Sequence, residues 1–269
     1  MKPSAATLRA SYERLTPKLH NNAFNRSLYI ESQESSNELE GDIYALVDQP
    51  FSVVSAALND PSGKPTNWCE VLILHLNVKY CRARQDAEGS TLTVNLGRKM
   101  EQQLKDTHPV EFRYSVLASG KTYFATSLSA ARGPMSTHDY RIILEAMPTD
   151  KNQTFIHLTY AYGFGMAGKV AMKGYLSTMA RGKIGFTPVG TRPDGKPQYI
   201  GGVRGVVERN AMRYYVAIES FLNAPGEDQF EKRLKACIET LEQYATQLHE
   251  VDRATYAEMK RNEYKRMRE

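Results

Sequence analysis

Four stretches in the middle of the chain alternate apolar and polar residues with a period of two, and this pattern constrains the fold more than any other feature. Leu92, Val94 and Leu96 alternate with Thr91, Thr93 and Asn95. Val110, Phe112, Tyr114 and Val116 alternate with Glu111, Arg113 and Ser115. Tyr140, Ile142, Leu144 and Ala146 alternate with Asp139, Arg141, Ile143 and Glu145, and Ile156, Leu158, Tyr160 and Tyr162 with His157, Thr159 and Ala161. Successive side chains of a strand point to opposite faces, so each stretch predicts a strand with one face against a core. A fifth strand is expected over 122–130. The joints Ala118-Ser119-Gly120 and Thr149-Asp150-Lys151-Asn152 are too short for helical crossovers, which predicts an antiparallel meander.

Helical spacing takes over after the meander. Val203, Val207, Ala211, Tyr214, Ile218 and Phe221 mark one stripe of a long helix. Beyond Ala224-Pro225-Gly226, Phe230, Leu234, Ile238, Leu241, Ala245 and Leu248 mark a second, and a charged helix is expected from there to Glu269. Before the meander, Ile43, Ala45 and Val47 give a strand over 41–47. Asp48-Gln49-Pro50 is expected to cap a helix carrying Val53, Val54, Ala57 and Leu58. Asn59-Asp60-Pro61-Ser62-Gly63 reads as a turn, and a second short helix is expected over 68–75. Residues 5–15 have weak helical character that Thr16-Pro17 interrupts, and Glu31 to Asn37 reads as a loop.

The order of strand, two short helices, antiparallel meander and long helix is similar to the START/Bet v 1-like (helix-grip) superfamily. The residue-level match lies at the front: Asp48-Gln49-Pro50-Phe51, then Val54, Leu58, Asn59-Asp60-Pro61 and Trp68. The resemblance covers residues 41–224 and implies an α+β fold whose curved sheet grips the long helix around a ligand cavity. It leaves an N-terminal arm (1–40), a helical tail (225–269) expected to pack on the domain, and a segment over 163–200 longer than such domains usually carry.

The 269 residues suffice for a core without metals. The net charge of +5 arises partly in the tail, at Lys260, Arg261, Lys265, Arg266 and Arg268, where a solvated helix face is expected. Transient membrane contact is the alternative use of that charge. No nucleic-acid motif accompanies it, so nucleic acid is not expected as a partner. No stretch reaches transmembrane length. Cys69 and Cys81 have no histidine or further cysteine at metal-site spacing. They either close a loop of twelve steps, worth about 3 kcal/mol, or remain two buried thiols. The expectation is a bridge with Cys237 free, which points to a periplasmic or secreted protein whose signal peptide has been removed. A cytoplasmic protein is the alternative.

Two catalytic suggestions fail on chemistry. Gly163-Phe164-Gly165-Met166-Ala167-Gly168 lacks the lysine-serine of a phosphate loop. Ser136, His138 and Asp139 lack an elbow motif, and adjacent strand residues are expected on opposite faces. Met166, Met172 and Met179 fit an adaptable apolar surface that serves helix packing, gates a cavity or touches a membrane. Arg141 and His157 interrupt apolar strand patterns, and Arg204, Glu208 and Arg209 either pair within the long helix or meet a ligand head group. No catalytic residue, metal or cofactor is expected. The expected function is binding or transport of an apolar small molecule, a lipid above all, by Tyr140, Arg141, Tyr160, Tyr162, Met212 and Tyr215. A cyclase- or hydrolase-type enzyme on the same fold, and an interaction module using the tail, are the alternatives.

Overall fold

The computed structural model describes residues 3–60, 65–87, 89–165, 168, 174 and 182–269. The sequence expectations on Met166, Met172 and Met179, and most of those on residues 163–185, lie outside the described residues.

The chain begins with α1 (Ala5–His20), β1 (Leu28–Glu34), β2 (Glu38–Val47), α2 (Phe51–Leu58) and α3 (Thr66–Leu72). Six strands follow: β3 (Val78–Asp86), β4 (Gly89–Leu96), β5 (His108–Ser119), β6 (Phe124–Arg132), β7 (Thr137–Pro148) and β8 (Thr154–Phe164). A small hairpin, β9 (Pro188–Thr191) and β10 (Pro197–Tyr199), precedes the helices α4 (Gly202–Asn223), α5 (Phe230–Gln243), α6 (Ala245–Leu248) and α7 (Arg253–Arg268). Eight strands form one antiparallel sheet in the order β1-β2-β8-β7-β6-β5-β4-β3.

Helix α4 lies across β1, β2 and β8. Its closest approach is at Gly41, where a Cβ would sit 3.3 Å from the Val207 carbonyl and 3.4 Å from Ala211 Cβ. A glycine there lets the helix axis settle onto the strand. The other face of the sheet is covered too. Leu8, Leu15 and Leu19 of α1 pack on Tyr44, Met147 and Phe155, which is why β8 is buried on both sides. The tail joins the main core directly, through Leu234, Cys237, Leu241, Leu248, Tyr256 and Met259. Cys69 and Cys81 form a disulfide between α3 and β3, and Cys237 is free and buried. No helix among the described residues is long and apolar enough to cross a membrane.

Several local expectations are corrected. Helix α1 runs through Pro17, because Leu15 and Leu19 gain more by packing on the sheet than the missing N–H costs. The polar stretch from Glu31 is mostly strand: Ser32 faces inward while Glu31 and Gln33 line an outer groove. Asp48 does not cap α2. It accepts from Gln153 Nε2 at 2.5 Å, and Pro50 holds the N-cap position instead. The charged tail is no solvated face at Lys260 and Glu263, which are fully buried. The second apolar stripe breaks at Tyr244 into α5 and α6.

Candidate functional site

The concave side of the sheet, beneath α4, carries a group of aromatic rings. Tyr140 of β7 stacks on Tyr162 of β8 at 5.3 Å, and Tyr162 lies 5.7 Å from Tyr160. Phe112 of β5 meets Tyr140 edge-on at 6.3 Å. From the helix side, Tyr214 reaches within 5.1 Å of Tyr160, and His75, just past α3, stacks on Tyr214 at 4.4 Å. Alternation on β7 and β8 puts the three strand tyrosines on one face, and the register joining Ile142 to Tyr160 brings them level. Tyr160 and Tyr214 keep 7% and 6% of their surface accessible, whereas Leu144 and Leu158 on the same face keep none.

Polar groups in this chamber are not all satisfied by the protein. The Tyr140 hydroxyl is 2.8 Å from Thr137 Oγ1. Burial raises the hydroxyls of Tyr160 and Tyr214 well above the usual phenol range. His75 Nδ1 accepts the Asn77 N–H at 3.2 Å, so the proton sits on Nε2, which is buried without a partner. Burial first, then the charges of Arg213, Lys260, Lys79 and Lys99, hold His75 well below its ordinary pKa. It is a neutral donor.

Of the six expected ligand-binding residues, the structure gathers Tyr140, Tyr160 and Tyr162. Met212 is wholly buried in the main core. Arg141 points to the opposite face, half-exposed, and pairs with Glu38. Tyr215 faces away from the chamber: its hydroxyl donates to Glu219 Oε1 at 2.9 Å, and Glu219 in turn holds Arg26 at 2.5 Å. The sequence offers Tyr214 only as part of the apolar stripe of α4, and it reads His75 and Asn77 as satisfied polar groups beside the disulfide, whereas His75 Nε2 has no partner among the described residues. One residue is about 100° of helix rotation, which separates Tyr214 from Tyr215.

Glu208 is buried and accepts from Ser32 Oγ (2.6 Å), the Phe186 and Thr187 amides (2.6 and 2.9 Å) and Thr187 Oγ1 (2.7 Å). Arg204 donates to Ser32 Oγ at 3.1 Å and to its carbonyl at 2.8 Å. These two residues and Arg209 therefore reach out of the helix rather than pairing along it. A groove of about 1010 Å³ opens beside them, along the edge strand β1. Phe24, Phe186 and Tyr244 form its aromatic floor, with centroids 5.8–6.1 Å apart. Its walls come from three distant parts of the chain, which is why no local pattern marked it.

Two further clusters lie outside the chamber. His138 Nδ1 is 2.8 Å from Asp139 Oδ2, contrary to strict alternation, because Asp139 sits at a bulge with φ 50°. Both side chains are exposed. On the α1 side of the sheet, His157 stacks on Tyr44 at 4.2 Å and bridges Asp42 (2.8 Å) and Glu145 (3.0 Å). Burial alone would lower the His157 pKa, but its hydrogen bonds to Asp42 and Glu145 and the charges of those carboxylates raise it to about 9. The folded pKa exceeds the unfolded value, so the stabilisation is complete below about pH 6.5 and lost as pH rises through about 9. Urea titrations at pH 6 and pH 10 should differ by roughly 3 kcal/mol from this group. His157→Gln should flatten that difference, and an unchanged pH profile in the variant would remove His157 as its source.

The architecture is now complete: an antiparallel sheet, two short helices between β2 and β3, and a 22-residue helix across the concave face. The fold is of the helix-grip type. Solved structures similar to it include human StAR-related lipid transfer protein 5, at 12% identity and TM-score 0.32, covering 66% of this chain and 91% of that one. Norcoclaurine synthase from Thalictrum flavum is similar at 10% identity and TM-score 0.37, over 55% and 91% of the two chains. An aromatase/cyclase from a Streptomyces species is similar at 10% identity and TM-score 0.34, over 78% and 93%. No protein-family model and no curated protein matches the sequence. The cluster of tyrosine rings lies between α4 and the sheet.

Proposed function

We propose that this protein binds an apolar small molecule, of the lipid class, between the concave face and α4. The observation that carries the reading is the buried His75 Nε2–H, without a partner among the described residues, set against the Tyr214 and Tyr160 rings beneath α4. An unsatisfied buried polar group costs about 1–3 kcal/mol, which a ligand with one or two acceptor oxygens would recover. Each Å² of apolar ligand surface hidden from water adds about 25 cal/mol. An enzyme reading fits less well, because His75 presents a proton at Nε2 rather than a basic nitrogen. The disulfide supports an oxidising compartment as the place of action.

Native mass spectrometry after incubation with a mixed lipid extract should show one bound hydrophobe per chain. A photoactivatable fatty acid should label residues of β7, β8 and α4. Adducts confined to Phe24 and Tyr244 would move the site to the edge groove, and the absence of any bound lipid would overturn the reading.

A further inference from the structure

The groove of about 1010 Å³ along β1 shares no lining residue with the tyrosine cluster under α4, and its chemistry is different. Its rings are Phe24, Phe186 and Tyr244, with Tyr29 and Tyr199 on the walls. Carboxamides surround them: Asn21, Asn25, Gln33 and Gln243 are exposed and Gln247 is half-buried. Among the described residues, the charged side chains of the lining are Lys18, Glu31 and Arg204. Lys18 and Glu31 are joined through the Tyr29 hydroxyl, at 3.4 and 3.2 Å, and Arg204 is engaged by Ser32. Polarity is plentiful here and charge is scarce.

The floor is set before a ligand arrives. Asn22 Nδ2 donates to the Leu19 and Arg26 carbonyls at 2.8 and 2.9 Å, while its Oδ1 accepts the Phe24 N–H at 2.9 Å, which fixes the turn carrying Phe24. The Tyr244 hydroxyl donates to the Phe24 carbonyl at 3.0 Å, and Glu208 holds the Phe186 amide at 2.6 Å. A surface fixed in this way loses little entropy on binding. A carboxamide offers donors and an acceptor side by side, which suits a partner that both gives and accepts hydrogen bonds. An ion would find little counter-charge in this lining. A lipid chain would take water from the amides without replacing its hydrogen bonds. An extended peptide would need the outward main-chain groups of β1, but the Leu28 N–H already donates to the Arg26 carbonyl at 2.8 Å and Arg204 holds the Ser32 carbonyl. A saccharide meets both halves of the lining: its hydroxyls give and accept, and its C–H face packs on the electron-rich face of a ring.

We infer that the edge groove is a binding site for a neutral oligosaccharide, in which Phe24 supplies a stacking surface and Gln33 and Gln243 supply hydrogen bonds. The site is independent of the ligand under α4. Saturation-transfer NMR and calorimetry on the full chain, with maltotriose, cellotriose and triacetylchitotriose, test it. At least one of these should bind, with the same affinity in low and high salt. Phe24→Leu, which keeps apolar bulk but removes the ring, should weaken that binding about tenfold. Gln33→Ala/Gln243→Ala should weaken it about as much. Both variants should leave fatty-acid labelling under α4 unchanged. Gln33 and Gln243 are exposed, so the double variant should melt with wild type and decides the matter if Phe24→Leu lowers Tm. No binding of any of the three sugars, or binding that the double variant does not weaken, would overturn the saccharide site and leave the lipid reading as it stands. Displacement of the sugar by a fatty acid, with lipid adducts at Phe24 and Tyr244, would give the groove to the hydrophobe instead.

Discussion

Removing residues 226–269 should abolish folding rather than trim an appendage. The deleted segment supplies Leu234, Cys237, Leu241, Leu248, Tyr256 and Met259 to the same core as the sheet and α4. Each large apolar side chain contributes roughly 1.5–3 kcal/mol on burial, against a total stability of about 5–15 kcal/mol for a typical domain. The deletion would also strip the His75 and Val78 carbonyls of the Lys260 ammonium that ties them to α7. Circular dichroism and a urea titration of the truncated chain would check this. A cooperative transition with most of the wild-type amplitude would show that the tail is dispensable.

The second large effect is expected at Arg233, whose side chain is wholly buried. Its guanidinium pairs with Glu70 of α3 and donates to the carbonyls of Ala224 (3.1 Å) and Gly226, so one residue of α5 ties together α3, α5 and the turn after α4. Arg233→Met should cost about 3–5 kcal/mol and lower Tm by roughly 10 °C, because it leaves the buried Glu70 carboxylate with only the Tyr264 hydroxyl at 3.3 Å and the half-exposed Arg268 at 3.7 Å. Burial already pushes the Glu70 pKa up, with Arg233 the main opposing influence. The carboxylate should take up a proton in the variant. Pairing the change with Glu70→Met should restore much of the loss, since removing both ions leaves no uncompensated charge. A single-variant loss below about 1 kcal/mol would show that the pair is held by neighbours rather than holding them.

The meander and the long helix were legible because both depend on local periodicity, which the chain writes into β5, β7, β8 and α4. Strand β1 was hidden because Glu31 and Gln33 look solvated and Ser32 answers to Glu208, 176 residues away. Strand β3 was hidden because Arg82, Arg84 and Gln85 face solvent at the sheet margin. The three strand tyrosines of the chamber could be read from alternation alone. His75, the pairing of Lys79 and Lys260 with Glu263, and the Glu250 contacts with Lys99 and Arg213 could not, because each joins segments whose proximity exists only once α7 and the 249–252 link are in place.

An eight-stranded sheet that does not close leaves two outer strands able to recruit another molecule's backbone. In this protein a cation from a neighbouring helix already holds a main-chain carbonyl of each. Arg204 holds that of Ser32 on β1, and Lys260 that of Val78 on β3. A second copy could extend the sheet only by displacing these contacts, and at β3 it would also have to dislodge α7. Resistance to fibre growth is thus built from the same side chains that fasten α4 and α7 to the body of the protein.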